Sequence, residues 1–233
     1  MQNTLLYTMG KVGSISVGNV LAKHGIRPLH GHWVSNDHPI GEFPTLKPQF
    51  GRVIGNSSSL RVITLIREPV ARNISAFFQS LVFFKKYCED YPKTSAEDLQ
   101  KIFIEHYDIH YPDRWFELEI MKWFDFDPFK TKFRHKKGYQ IYKADKQHRI
   151  LILRLEDANR CVPEAFHKLL GIKNAKMLDM NTFKDKKRGT GERYCKFLSL
   201  PFPEEFLDRN YNLKYAKHFY TKDELAKFKQ SWL

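Results

Sequence analysis

Residues 4–23 read TLLYTMGKVGSISVGNVLAK. The apolar run at 4–9 predicts a short buried strand, and Val17, Val20 and Leu21 recur at the spacing of one helical face, predicting a helix over 14–23. Between them Gly10-Lys11-Val12-Gly13-Ser14 predicts a tight turn. Strand, glycine-bearing turn and helix in that order aim backbone N–H groups and the positive helix end at one point, which suits a phosphate or sulfate. Lys11 adds a charged donor, and Ser14 and Ser16 add hydroxyls. A Walker A loop requires GxxxxGK[ST], whereas Lys11 here follows Gly10 and precedes Val12, so that reading fails. Taken alone, the stretch is equally compatible with an ordinary turn.

Working outward, residues 60–66 (LRVITLI) are β-branched and almost wholly apolar, as a strand covered on both faces should be. Arg67-Glu68-Pro69 follows, with Pro69 at the first turn of a helix running to about residue 87. A kinase-like enzyme wants an Asp at such a strand end to hold Mg²⁺, whereas an Arg suits an oxyanion without metal. Ser75 lies about two turns on, and Arg72 between them reads as an ion-pair or surface residue. Further strands are expected at 27–31, 139–143 and 150–155. Helices are expected at 96–107, where Ser95 caps with Asp98 three residues on, and at 113–124 and 158–170, with a helical C-terminal part. Residues 33–59, with three Pro and five Ser or Thr, read as a long irregular stretch. Residues 130–149 hold eight Lys or Arg and one acid, Asp145, and read as a solvated hairpin. Alternating strands and helices predict an α/β fold with a central, largely parallel sheet flanked by helices, in a single domain spanning 1–233.

With 42% hydrophobic residues and 15% aromatics in 233 residues, the composition excludes a disordered or low-complexity chain. A net charge of +13 points to an anionic partner. Cys88, Cys161 and Cys195 show no CxxC or Cys/His ligand spacing, so neither a disulfide framework nor a zinc site is expected. No apolar run approaches a membrane span, and no basic leader precedes the first strand; the expectation is a cytoplasmic bacterial protein, or a Golgi-luminal one if the chain is a trimmed catalytic domain.

The pair KxGSxS (Lys11 to Ser16) and R-[DE]-P-x-x-R-x-x-S (Arg67 to Ser75) resembles the two nucleotide motifs of sulfotransferases that use 3′-phosphoadenosine 5′-phosphosulfate, PAPS. The resemblance implies a P-loop-like three-layer fold. It also implies that Lys11, Ser14 and Ser16, with Gly13 and Ile15 of the same turn, hold the 5′-phosphosulfate, and that Arg67 and Ser75 hold the 3′-phosphate. LILRLEDA, residues 151–158, resembles a strand-plus-Glu-Asp segment of these enzymes, and Lys187-Arg188-Gly189 resembles their late basic loop over the nucleotide. Val12 departs from the Thr that many of them carry. WFD at 123–125, KGYQIY at 137–142 and KYAKHFY at 214–220 are similar to a bacterial family of capsular polysaccharide synthesis proteins, itself sulfotransferase-like.

Sulfuryl transfer needs a cation at the leaving oxygen and a base opposite it. Lys11 suits the first role. His30-Gly31-His32 ends a strand expected on the same sheet edge and resembles the catalytic stretch of uronyl 2-O-sulfotransferases; this implies His32 as base and His30 as helper. Glu42 is the reserve base. A metal pair is the alternative reading of the two histidines, with His38 and Asp37 nearby, but no clear third ligand is present and no metal is expected. Trp33, Trp115 and Trp123 line a sugar groove or, the more usual place for Trp115 and Trp123, the core. The implied acceptor is a carbohydrate hydroxyl, anionic if the basic stretches 130–137 and 184–193 serve it rather than forming plain surface. PAPS is then the co-substrate and PAP the product. The competing functions are a basic nucleic-acid-binding protein, for which no RNP strand, KH loop or Cys/His finger is present, and a phosphotransferase, which would depend on Mg²⁺.

Overall fold

The computed structural model describes residues 4–34, 47–88, 90, 93–144, 147–177 and 190–233. In chain order these begin with β1 (Thr4–Tyr7), α1 (Ser14–Lys23), β2 (Leu29–Gly31), α2 (Lys47–Asn56), β3 (Arg61–Ile66) and α3 (Pro69–Gln79). A 3₁₀ segment (Leu81–Tyr87), α4 (Ala96–His106), α5 (Tyr111–Trp115), a π-helical stretch (Phe116–Met121) and α6 (Lys122–Phe124) come next. After β4 (Tyr139–Lys143) and β5 (Arg149–Arg154), the chain is helical: α7 (Ala158–Leu170), α8 (Thr190–Leu198), α9 (Glu204–Tyr211), α10 (Lys214–Phe219) and α11 (Lys222–Trp232). The chain divides into two compact units, Met1–Arg67 with Pro112–Asp179, and Glu68–Tyr111 with Met180–Leu233.

The first unit holds a five-stranded sheet in the order β2-β1-β3-β5-β4. β1 pairs in parallel with β2 and β3, and β3 with β5, while β4 lies antiparallel to β5 at the edge. β3 and β5 carry five buried residues out of six, which is why their sequences are continuously apolar rather than alternating. The polar exception in β3, Thr64, donates its hydroxyl to the Tyr7 carbonyl and so is satisfied in the core.

The second unit contains no strand among its described residues. Its core is aromatic: Phe77 and Phe78 of α3, Phe103 of α4, Phe197 of α8, and Phe202 and Phe206 at α9 are all buried together. The Phe77 and Phe103 rings stand 5.2 Å apart and the Phe78 and Phe197 rings 4.9 Å apart at 87°, the edge-to-face arrangement that ring quadrupoles favour. Glu68 caps α3, its carboxylate accepting from the Val70 and Ala71 N–H groups at 2.9 and 2.6 Å and from the Tyr211 hydroxyl at 2.7 Å.

These facts overturn the expected fold class. The architecture is dominated by helices, eleven α-helices among the described residues around a small mixed sheet whose strands are three to six residues long, and it is not a sheet-centred P-loop-like three-layer fold. Strand–helix alternation, the ground for the α/β expectation, belongs to the first unit, whereas the second buries helix against helix; the three-layer form was implied by the motif resemblance alone. Two local expectations are also corrected. The irregular stretch 33–59 contains α2, and the helix expected to reach residue 87 stops at Ser80, whose hydroxyl bonds back to the Ala76 carbonyl at 2.7 Å before the 3₁₀ segment starts.

Candidate functional site

The three strands β1, β2 and β3 run parallel, so the residues that follow each of them gather on one edge of the sheet. After β1 comes the glycine turn. Gly10, Lys11 and Gly13 all have positive φ, 76°, 62° and 82°. Lys11 is thus a non-glycine residue held in the left-handed region, a conformation that costs about 1–2 kcal/mol and that a tight turn here imposes. Gly13 is required on two grounds: its φ, and the Leu155 side chain, whose Cδ1 would stand 2.5 Å from any Cβ.

Helix α1 starts at Ser14 with no side-chain cap among the described residues and no acidic residue in its first turn, so that turn itself does not offset the positive helix end. Ser14 is buried and Ser16 half-buried, while Ile15 is 60% exposed. After β3 comes Arg67, whose guanidinium donates to the Lys11 carbonyl at 3.3 Å. That bond ties the residue after β3 to the backbone of the turn after β1.

After β2 comes the HGH triplet. The His32 ring lies over Gly10: a Cβ there would be 3.8 Å from Nδ1. Nδ1 is 2.8 Å from the Thr8 carbonyl, which can only accept, so Nδ1 carries the proton and Nε2 holds the lone pair of the neutral ring. That tautomer leaves Nε2 as the proton acceptor. Gly31 is fixed by Phe50 of α2, whose ring would lie 2.6 Å from a Cβ. His30 stands edge-to-face with His32, ring centroids 5.0 Å apart, and burial holds its pKa below the usual histidine value. Its Nε2 is buried with no hydrogen-bond partner among the described residues.

Of the other sequence-derived residues, Ser75 lies in the second unit, 6% exposed on α3. Arg72 is not a surface residue: it is buried, donates to Asn73 Oδ1 and the Tyr107 hydroxyl at 3.1 Å each, and stacks 4.2 Å over the Tyr111 ring. Trp115 is core, 2% exposed. Arg154 of the LILRLEDA segment is taken by Asp157, Nε to Oδ2 2.6 Å, and by the His135 carbonyl at 3.0 Å. Glu42, Asp37, His38, Lys187, Arg188 and Gly189 lie outside the described residues.

Sequence reasoning missed Glu119, a carboxylate only 3% exposed in the π-helical stretch, which accepts from the Tyr7 hydroxyl and, at 2.9 Å, from the Val34 N–H. Its legible signal was an acid between the apolar residues Leu118 and Ile120, but Glu117 two residues earlier, on the solvated side, gives the same pattern.

Among the described residues no three His, Cys, Asp or Glu side chains gather as a metal site, and no helix is long and apolar enough to cross a membrane. This edge brings Lys11, Arg67 and His32 to the turn that follows β1. The family to which the chain belongs is described as "Putative capsular polysaccharide synthesis protein", and the match covers residues 89–221. That span includes Trp115 and Glu119 and begins after Lys11, His32, Arg67 and Ser75. No curated protein and no solved structure matches the chain.

Proposed function

We propose that the protein is a sulfotransferase that moves a sulfuryl group from PAPS to a hydroxyl of a carbohydrate acceptor. The observation that carries this reading is the meeting of Lys11, Arg67 and His32 at one turn: an oxyanion-receiving pair beside an imidazole whose tautomer is fixed with Nε2 as acceptor. Membership of a polysaccharide-synthesis family supports a carbohydrate acceptor.

PAPS supplies an activated sulfuryl group on a good leaving phosphate. In the proposed reaction the acceptor oxygen forms a bond to sulfur as the bond from sulfur to the 5′-phosphate oxygen breaks. His32 Nε2 takes the acceptor hydroxyl proton. Lys11, with the N–H groups of the first turn of α1 and the Ser14 and Ser16 hydroxyls, holds the phosphosulfate and meets the negative charge that grows on the leaving oxygen. Arg67 is assigned the 3′-phosphate. Ser75 and Lys187-Arg188-Gly189 are assigned to the nucleotide, and Gly13 and Ile15 to the phosphosulfate turn, on motif resemblance. His30 is assigned the helper role on motif resemblance. Glu42 is the reserve base.

The test is PAPS-dependent sulfation of polysaccharide acceptors by the wild type and by His32→Ala. The variant should keep PAP binding while losing about 10²–10⁴-fold in transfer, the usual worth of a positioned base. Near-normal transfer by His32→Ala alongside its loss in Glu42→Gln would move the base to the carboxylate.

A further inference from the structure

The HGHWV segment leaves the sheet edge held at three points. Thr8 N–H donates to the Gly31 carbonyl at 3.1 Å, Trp115 Nε1–H donates to the His32 carbonyl at 2.5 Å, and Val34 N–H donates to Glu119 Oε2 at 2.9 Å. The first of these is the end of the β1–β2 pairing. The other two come from side chains four residues apart where α5 passes into the π-helical stretch, and they grip the backbone on either side of Trp33. Glu119 also accepts from Tyr7, whose ring packs 5.6 Å from that of Trp115 and 5.3 Å from that of Phe50. Phe50 in turn covers Gly31. Trp115 Nε1 and Glu119 Oε2 thus both bond to the backbone of residues 32–34. π-Helical turns in otherwise α-helical segments are uncommon and recur where a side chain must be aimed.

We infer that Trp115 and Glu119 are positioning residues: together they clamp the main chain around His32 so that its ring stays on the Thr8 carbonyl and presents Nε2 to the acceptor. The inference rests on the reading of His32 as base. The Thr8 carbonyl fixes the tautomer only while the His32 backbone keeps its place, and the Trp115 and Glu119 bonds are what hold that backbone against the helix. A displacement of about 1 Å at a reacting group costs on the order of 100-fold in rate, so loss of either clamp should be felt in turnover.

The experiment combines ¹⁵N-histidine NMR of the full chain with PAPS-dependent transfer rates for Trp115→Phe, Glu119→Ala, Glu119→Gln and His32→Ala. Trp115→Phe keeps an aromatic ring and removes only the donor. Glu119→Gln keeps an oxygen that can accept from Val34. The result expected is a His32 signal that moves from the Nδ1-protonated tautomer towards a mixture in Trp115→Phe and Glu119→Ala. Turnover should fall roughly 10- to 100-fold with the PAPS Michaelis constant within about 2-fold, and Glu119→Gln should restore most of both. In a His32→Ala background Trp115→Phe should cost nothing further, since there is no base left to misplace. An unchanged His32 tautomer in Trp115→Phe, or an equal and additive loss in the His32→Ala background, would overturn the inference. If His32→Ala itself keeps turnover, the base reading fails, and the tautomer shift still decides whether the clamp exists.

Discussion

Single residues carry the geometry of this edge, and their roles follow from space and dihedral angle. Gly13→Ala places a Cβ 2.5 Å from Leu155 Cδ1 at a φ of 82°. The end of a leucine can yield, so the left-handed backbone sets the floor of the cost, about 1–2 kcal/mol, which chemical denaturation should report as a lowered midpoint with an unchanged slope. His30 makes a separate prediction. Burial lowers its folded-state pKa below the ordinary 6.5, so as pH falls through that value the unfolded chain takes a proton that the folded chain refuses. Its contribution to stability is complete above about pH 6.5 and is lost progressively below it, levelling once pH passes the folded value. Denaturation midpoints between about pH 7.5 and 5 should therefore fall less steeply in His30→Gln than in the wild type. An equal fall in both would remove the assigned cause. Cys161 is buried, and burial with Asp157 nearby pushes its thiol up to about 12, whereas Cys195 is exposed. Alkylation near pH 8 should label Cys195 in the native protein and Cys161 only after unfolding.

At the scale of elements, the sequence is legible where one force decides and illegible where tertiary contacts override it. The bounds of α1 and the apolar cores of β3 and β5 follow directly from spacing and β-branching. So does the start of α4, where Ser95 Oγ accepts from Asp98 N–H at 3.0 Å. α2 is the opposite case. KPQFGRVIGN contains two glycines and a proline and has little helical propensity; Phe50, fully buried against Tyr7 and Gly31, supplies a tertiary anchor that no local pattern announces. The end of α3 was hidden for a related reason, since the apolar run continues through Leu81-Val82-Phe83-Phe84 after the helix has stopped. Glu68 looked like part of a nucleotide motif and is the cap of α3. Glu68→Ala should cost about 1–2 kcal/mol for the cap, and more for the buried Tyr211 hydroxyl left without its acceptor, whereas Glu68→Gln should recover much of the loss. Urea denaturation of the two variants checks this; equal losses would mean that the charge rather than the acceptor geometry is what α3 requires.

For the whole molecule, the helical second unit explains why a three-layer reading failed, while the strands of the first unit were placed from sequence. Lys11, His32 and Arg67 each follow a strand, and strand ends are what apolar runs reveal best; the clamp residues Trp115 and Glu119 sit inside a helix, where burial conceals a polar role. The net charge is +13, and an anionic acceptor drawn by that field should show a Michaelis constant that rises with salt. The central claim is narrower: the turn made by Lys11 and Arg67 binds the nucleotide of a sulfuryl donor. Equilibrium binding of PAP, adenosine 5′-phosphosulfate and ATP, with and without Mg²⁺, to the wild type, Lys11→Ala and Arg67→Ala tests it most directly. The account predicts that PAP binds the wild type more tightly than ATP whether or not Mg²⁺ is present. It further predicts that Arg67→Ala weakens PAP roughly 10- to 150-fold, the worth of a charge-assisted bond of about 1.5–3 kcal/mol, while affecting adenosine 5′-phosphosulfate far less. Undetectable PAP binding, or a preference for Mg²⁺-ATP, would contradict it.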